Sequence, residues 1–137
     1  MLIVSPSGSI ERLPVPTGVA HLGVVSYGTY RVVLRDAAFV VLANYPCTYP
    51  TGQTVLLEAM AAGKACIVTG SDALREYAIH GVNALVVPAG DVSALADAMS
   101  CLRENADLRH KLGAAAMQWV QHGFTETQMW ASIEAGA

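Results

Sequence analysis

The stretch that most constrains the fold is residues 50–70, PTGQTVLLEAMAAGKACIVTG. Pro50, Thr51 and Gly52 supply turn chemistry, and Thr51 is placed to accept hydrogen bonds from the first amides of a helix. Gly63 offers the left-handed residue at which that helix stops, and Ala65 to Thr69 reads as a short buried strand. Between the turn and Gly63 lie Val55, Leu56, Leu57, Ala59, Met60, Ala61 and Ala62, with a single charge, Glu58. A carboxylate among apolar neighbours is costly to desolvate, so Glu58 belongs on the one polar stripe of this helix, with Thr54 four residues back and Thr51 seven back. A rise of about 1.5 Å per residue separates Thr54 and Glu58 by roughly 6 Å along the axis. The free amides and positive dipole end at Gly52, Gln53 and Thr54 suit a phosphate, and Glu58 can accept from hydroxyls one turn further in. A nucleotide satisfies both.

Around this stretch, short apolar runs alternate with helical patterns. Leu2 to Val4 reads as a strand, and Pro6, Pro14 and Pro16 limit the next segment to about one turn at Ile10 to Leu13. Val19 to Leu22 follows as a strand, Gly23 to Gly28 as a loop, Thr29 to Arg35 as a helix and Ala38 to Ala43 as a strand. Beyond Thr69, Gly70 to Ala73 turns into a short helix with Arg75 and Glu76, and the turn Gly81-Val82-Asn83 leads to a strand over Ala84 to Val87. Asp91 or Ser93 then caps a helix with Leu95, Ala98, Met99 and Leu102 on one side; Asn105 breaks it, and a second helix runs to about Gln121 and ends at Gly123. Such alternation predicts an α/β fold with a parallel sheet. Ligands of such sheets bind beyond the carboxyl ends of the strands, and the loops at Gly23, Pro50 and Gly70 are expected to converge there.

The run GQTVLLEAMAAGKACIVT, followed by REYAIHGVNALVVPAGD, resembles the C-terminal half of retaining glycosyltransferases with the two-domain GT-B fold, often called group 1 or GT4. The resemblance implies one domain over residues 1–137: a Rossmann-like parallel sheet sandwiched by helices, binding a nucleotide-diphosphate sugar such as a UDP-sugar without a metal cofactor. That family carries two glutamates separated by seven residues. Glu58 matches the second, which binds the ribose hydroxyls, while the first, which touches the donor sugar, falls at Pro50. Val25 stands in the loop that packs against the base, beside Gly23, although a plain strand-to-helix turn explains these two residues equally well. Where the family has Gly-x-Arg-Glu, this chain has Ala73-Leu74-Arg75-Glu76, and Glu76 reads as a capping or pairing residue. The resemblance also implies an acceptor domain or partner chain ahead of Met1, carrying the Arg and Lys that neutralise the diphosphate. Trp130, with Met129 and Ile133 on the amphipathic tail from Phe124, would anchor toward it. No residue is assigned a catalytic role, and the chain by itself is expected to bind the donor without transferring sugar.

Composition narrows the partners. A net charge of −3 without a Lys/Arg cluster argues against nucleic acid. Hydrophobic content of 53% with 14% charged residues fits either buried parallel strands or a surface covered by a partner or a second copy. Cys47, Cys66 and Cys101 are odd in number and widely spaced, as expected of buried free thiols in a reducing compartment, with Cys47 alone in a loop. No apolar run has the length of a membrane span or the flanks of a signal peptide, so a cytoplasmic protein is expected. Gly23 to Gly28 is not followed by Lys-Ser/Thr, and no GxGxxG opens a helix, which removes a P-loop and leaves a dinucleotide enzyme remote. His110 and His122 read as solvated, and His21 and His80 carry no signal. Two other functions stay open: a degenerate module that acts through association, and a sugar-nucleotide epimerase of the same architecture.

Overall fold

The computed structural model describes residues 1–4, 16–44 and 51–125, in two compact units, Met1–Asp36 and Ala37–Ala137. The expectations placed on Ile10 to Leu13, Cys47, Pro50 and the tail bearing Met129, Trp130 and Ile133 lie outside the described residues.

In the first unit, β1 (Leu2–Ile3) pairs in parallel with β2 (Ala20–His21), shorter than the strand expected from Val19. Helix α1 (Tyr27–Asp36) begins two residues before Thr29. The reason is Ser26, whose Oγ accepts the Thr29 N–H at 3.2 Å and whose carbonyl accepts the Tyr30 N–H at 2.9 Å, so the turn closes earlier than apolar spacing suggests.

The second unit is built on three parallel strands in the order β3 (Val40–Leu42), β4 (Cys66–Thr69), β5 (Leu85–Val87). All four residues of β4 are buried, as its central position requires. Helix α2 (Gln53–Ala61) joins β3 to β4, and α3 (Val92–Glu104) and α4 (Ala106–Gly123) follow β5. Ala65, Ile67 and Val87 pack with Leu102 of α3 and Leu112 of α4, and Leu95, Ala98 and Met99 extend that core. Asp91 caps α3 through its bond from the Ala94 N–H at 2.9 Å. Asn105 closes α3 with its own N–H to the Cys101 carbonyl and opens α4 with its side chain, 2.9 Å from the Leu108 N–H. Arg109 then donates to the carbonyls of Leu102 and Arg103, covering the end of α3.

Between β4 and β5 the chain makes a single 3₁₀ turn at Asp72–Leu74. Asn83, fully buried, organises the segment between that turn and β5: it accepts the Ile79 N–H at 2.7 Å and donates to the Tyr77 carbonyl at 2.9 Å. The Val86 N–H donates to His80 Nδ1 at 3.0 Å, which gives His80 a part in holding β5. Among the described residues no helix is long and apolar enough to cross a membrane.

The cysteines divide. Cys66 is buried in β4, whereas Cys101 is exposed on α3, contrary to the expectation of buried thiols, because position 101 falls on the outer side of a helix whose inner side is Leu95, Ala98 and Leu102. Burial pushes the Cys66 thiol up to about 12. An unfolded cysteine ionises near about 8.5, so above that pH the unfolded state releases a proton that the native state keeps. Stability contributed by the neutral thiol is complete below pH ~8.5 and is expected to fall by about 1.4 kcal/mol per pH unit as pH rises toward about 12. Urea midpoints from pH 8 to 10.5 should therefore fall more steeply for the wild type than for Cys66→Ala. Equal slopes would contradict a protonated native thiol.

Candidate functional site

The start of α2 is held from below by the ends of two strands. Thr69 closes β4, and its buried hydroxyl accepts the Asn44 N–H at 2.9 Å while lying 2.8 Å from the Asn44 carbonyl, to which it donates. Asn44, pinned just past β3, directs Nδ2 at the Thr51 carbonyl, 3.4 Å away. Above it Gly52 adopts the left-handed conformation, φ 83° and ψ −6°. The left-handed angle favours glycine, and a Cβ here would also have to displace the Asn44 amide while lying in ordinary contact, 3.5 Å, with Leu42 Cδ2. The first helical bond runs from the Leu56 N–H to the Gly52 carbonyl, 2.9 Å.

This arrangement corrects the expected cap. The N-cap position falls on Gly52, one residue beyond Thr51, and Gly52 has no side chain to offer. Among the described residues no backbone carbonyl accepts the N–H groups of Gln53, Thr54 or Val55. Three donors at the positive end of a helix dipole are thereby left without a backbone acceptor. The other end is closed by the expected glycine. Gly63 has φ +67°, its N–H bonds to the Met60 carbonyl at 2.9 Å and the Lys64 N–H to the Ala59 carbonyl at 3.0 Å, the two bonds of a Schellman motif.

Glu58 sits one turn inside the uncapped end. Leu56, Ala59 and Met60 form the buried stripe of α2, and helical geometry puts Thr54 and Glu58 on the opposite side. The Glu58 side chain is half-buried, and among the described residues nothing donates to its carboxylate. Gly52, Gln53, Thr54 and Glu58 are thus gathered on one helix. Gly23 and Val25 belong to the first unit, where Gly23, at φ +63°, and half-buried Val25 make the turn from β2 into the Ser26 cap.

The Gly70 loop meets the α2 start. Gln53 Nε2 donates to the Ala73 carbonyl at 3.4 Å, and the Gly70 N–H bonds to the Val87 carbonyl at 2.8 Å. An open cleft of about 320 Å³ lies beside this loop, with Val68, Leu74 and Val86 in its wall and Asp72 and Arg75 at its rim. Arg75 pairs with Asp72, in the next turn of its own segment. Glu76, expected to cap or pair, is exposed and has no partner among the described residues. His110 and His122 are exposed, as expected.

A family model described as group 1 glycosyl transferases matches residues 3–105, well over half of the chain. The chain belongs to the group 1 glycosyltransferases. This group 1 domain is 43% identical over 67 residues to phosphatidyl-myo-inositol mannosyltransferase of Mycobacterium leprae, an overlap of 49% of this chain and 18% of that protein. Its fold is similar to that of HepE from Anabaena, solved in complex with UDP-glucose, with a TM-score of 0.75, 20% identity and coverage of 99% of this chain and 40% of that one. It is similar also to the C-terminal domain of the group 1 protein LpcC from Francisella tularensis, with a TM-score of 0.69, 23% identity and coverage of 79% and 54%. Sucrose-phosphate synthase from Thermosynechococcus elongatus gives a TM-score of 0.70 at 24% identity, over 87% and 31%. The group 1 domain therefore has the α/β parallel-sheet fold of GT-B glycosyltransferases, and spans under a fifth of the mannosyltransferase and about a third to a half of these structures.

Proposed function

We propose that this chain binds the donor nucleotide-sugar of a retaining glycosyltransferase. The observation that carries the reading is the start of α2: N–H groups at Gln53 and Thr54 that no backbone carbonyl accepts among the described residues, with the Glu58 carboxylate, to which none of those residues donates, one turn behind on the outward side. A diphosphate satisfies the amides and the dipole, and the ribose hydroxyls satisfy Glu58. Solved structures of similar fold that hold UDP and UDP-glucose support a diphosphate ligand.

In transfer, negative charge develops on the leaving diphosphate, and preoriented amides at Gly52, Gln53 and Thr54 stabilise it without reorganising. Taken alone, the 137 residues are expected to bind donor without transferring sugar. Titration calorimetry with UDP, GDP and ADP tests the reading. At least one diphosphate should bind, and Glu58→Ala should weaken it by about ten- to hundredfold, the range for hydrogen bonds to a charged group. Equal affinity in the two proteins would remove Glu58 from the site.

A second reading, association without chemistry, draws on Val24, Tyr27 and Val32, large apolar residues exposed on the first unit. A chain that light scattering shows to be monomeric while it binds nucleotide contradicts it.

A further inference from the structure

We infer that Asn44 is a positioning residue for the diphosphate, acting through Gly52; the inference rests on the nucleotide reading above. Asn44 contributes no group to the helix, yet it touches each part that aims the helix start. Its backbone N–H and carbonyl are both held by one hydroxyl, Thr69 Oγ1, at 2.9 and 2.8 Å, which fixes it relative to β4. Its side-chain amide donates to the Thr51 carbonyl, fixing the peptide that enters Gly52. The same amide fills the space where any Cβ on Gly52 would stand. The left-handed turn at Gly52 sets the direction of the first helical bond from the Leu56 N–H, and with it the direction of the N–H groups of Gln53, Thr54 and Val55. Donor direction matters because hydrogen bonds weaken steeply once the angle departs from linear.

A carboxylate tests this at constant size. Asn44→Asp keeps the contact under Gly52 but turns a donor aimed at the Thr51 carbonyl into an acceptor, and it adds a negative charge beneath the proposed diphosphate. The experiment compares UDP with uridine, GDP with guanosine and ADP with adenosine on the full chain, by calorimetry for the diphosphates and by NMR titration for the nucleosides. For the base that binds, Asn44→Ala should weaken the diphosphate about tenfold and Asn44→Asp more, with the Asp loss shrinking as salt is raised. Affinity for the parent nucleoside should stay at the wild-type value in both. Urea melts report stability alongside, so a nucleoside affinity that falls in step with the diphosphate marks a purely structural residue and overturns the assignment. Unchanged diphosphate affinity in both variants overturns it as well. If the wild type binds none of the three diphosphates, the nucleotide reading itself falls and Asn44 falls with it.

Discussion

Gly113→Ala is expected to lower stability by about 2–3 kcal/mol, although alanine at an ordinary helical glycine would stabilise by about 1 kcal/mol. Gly113 is buried in the middle of α4, where the helix crosses the loop that ends α2. A Cβ there would overlap the Gly63 carbonyl oxygen and stand 3.0 Å from the Gly63 carbonyl carbon and 3.4 Å from the Ala65 nitrogen. These are backbone atoms locked by the Schellman bonds of Gly63 and Lys64, so they cannot step aside as a side-chain tip could. The neighbouring strand residue Ala65 belongs to the core, so the strain passes directly into β4. Urea denaturation provides the measurement, with Gly123→Ala as the control, since none of the described residues lies within 4 Å of a Cβ at that position. A Gly113→Ala protein as stable as the wild type would show that α4 does not approach α2 this closely.

Gly52→Ala is expected to reduce diphosphate affinity by about a hundredfold, because two costs combine. A non-glycine residue in the left-handed region costs about 1–2 kcal/mol, and the added methyl must displace the Asn44 amide that supports the turn. The cheapest relief is to swing Gly52 out of φ 83°, which redirects the donors of Gln53 and Thr54. Gly81→Ala separates the two costs, because Gly81 has φ +74° with open space around its Cβ position. It should lose stability by about 1–2 kcal/mol and no nucleotide affinity. If Gly52→Ala behaves like Gly81→Ala, the α2 start is not a ligand site.

Much of the second unit is legible from residue spacing. The apolar run ending at Thr69 is long enough for only one buried strand, and Leu95, Ala98, Met99 and Leu102 recur at a period that only a helix satisfies. Gly63 and Asn105 carry their meaning locally, because a left-handed stop and a helix cap are made with neighbours in sequence. The features that spacing does not reveal are tertiary. Thr69 and Asn44 are 25 residues apart, and nothing in either neighbourhood announces that one hydroxyl serves both backbone groups of the other. Gly113 reads as one small residue in the run Gly-Ala-Ala-Ala, and its necessity comes from a backbone contact 50 positions away. Asn83 reads as an ordinary turn residue, yet it is the buried hub of the segment leading to β5. Threonine is a capping residue by its side chain, which points to Thr51, whereas the space beside Asn44 puts the cap position at Gly52.

In the proposed function, the open amino end of α2 receives a nucleoside diphosphate. Amide chemical-shift mapping during titration with UDP, GDP and ADP reads that end directly. The largest shifts on binding are predicted at the N–H groups of Gln53, Thr54 and Val55, with those of the Glu58 turn next, while the amides of α3 and the outer side of α4 stay in place. Binding that leaves the Gln53, Thr54 and Val55 resonances where they were, and moves those of another segment, would contradict the account.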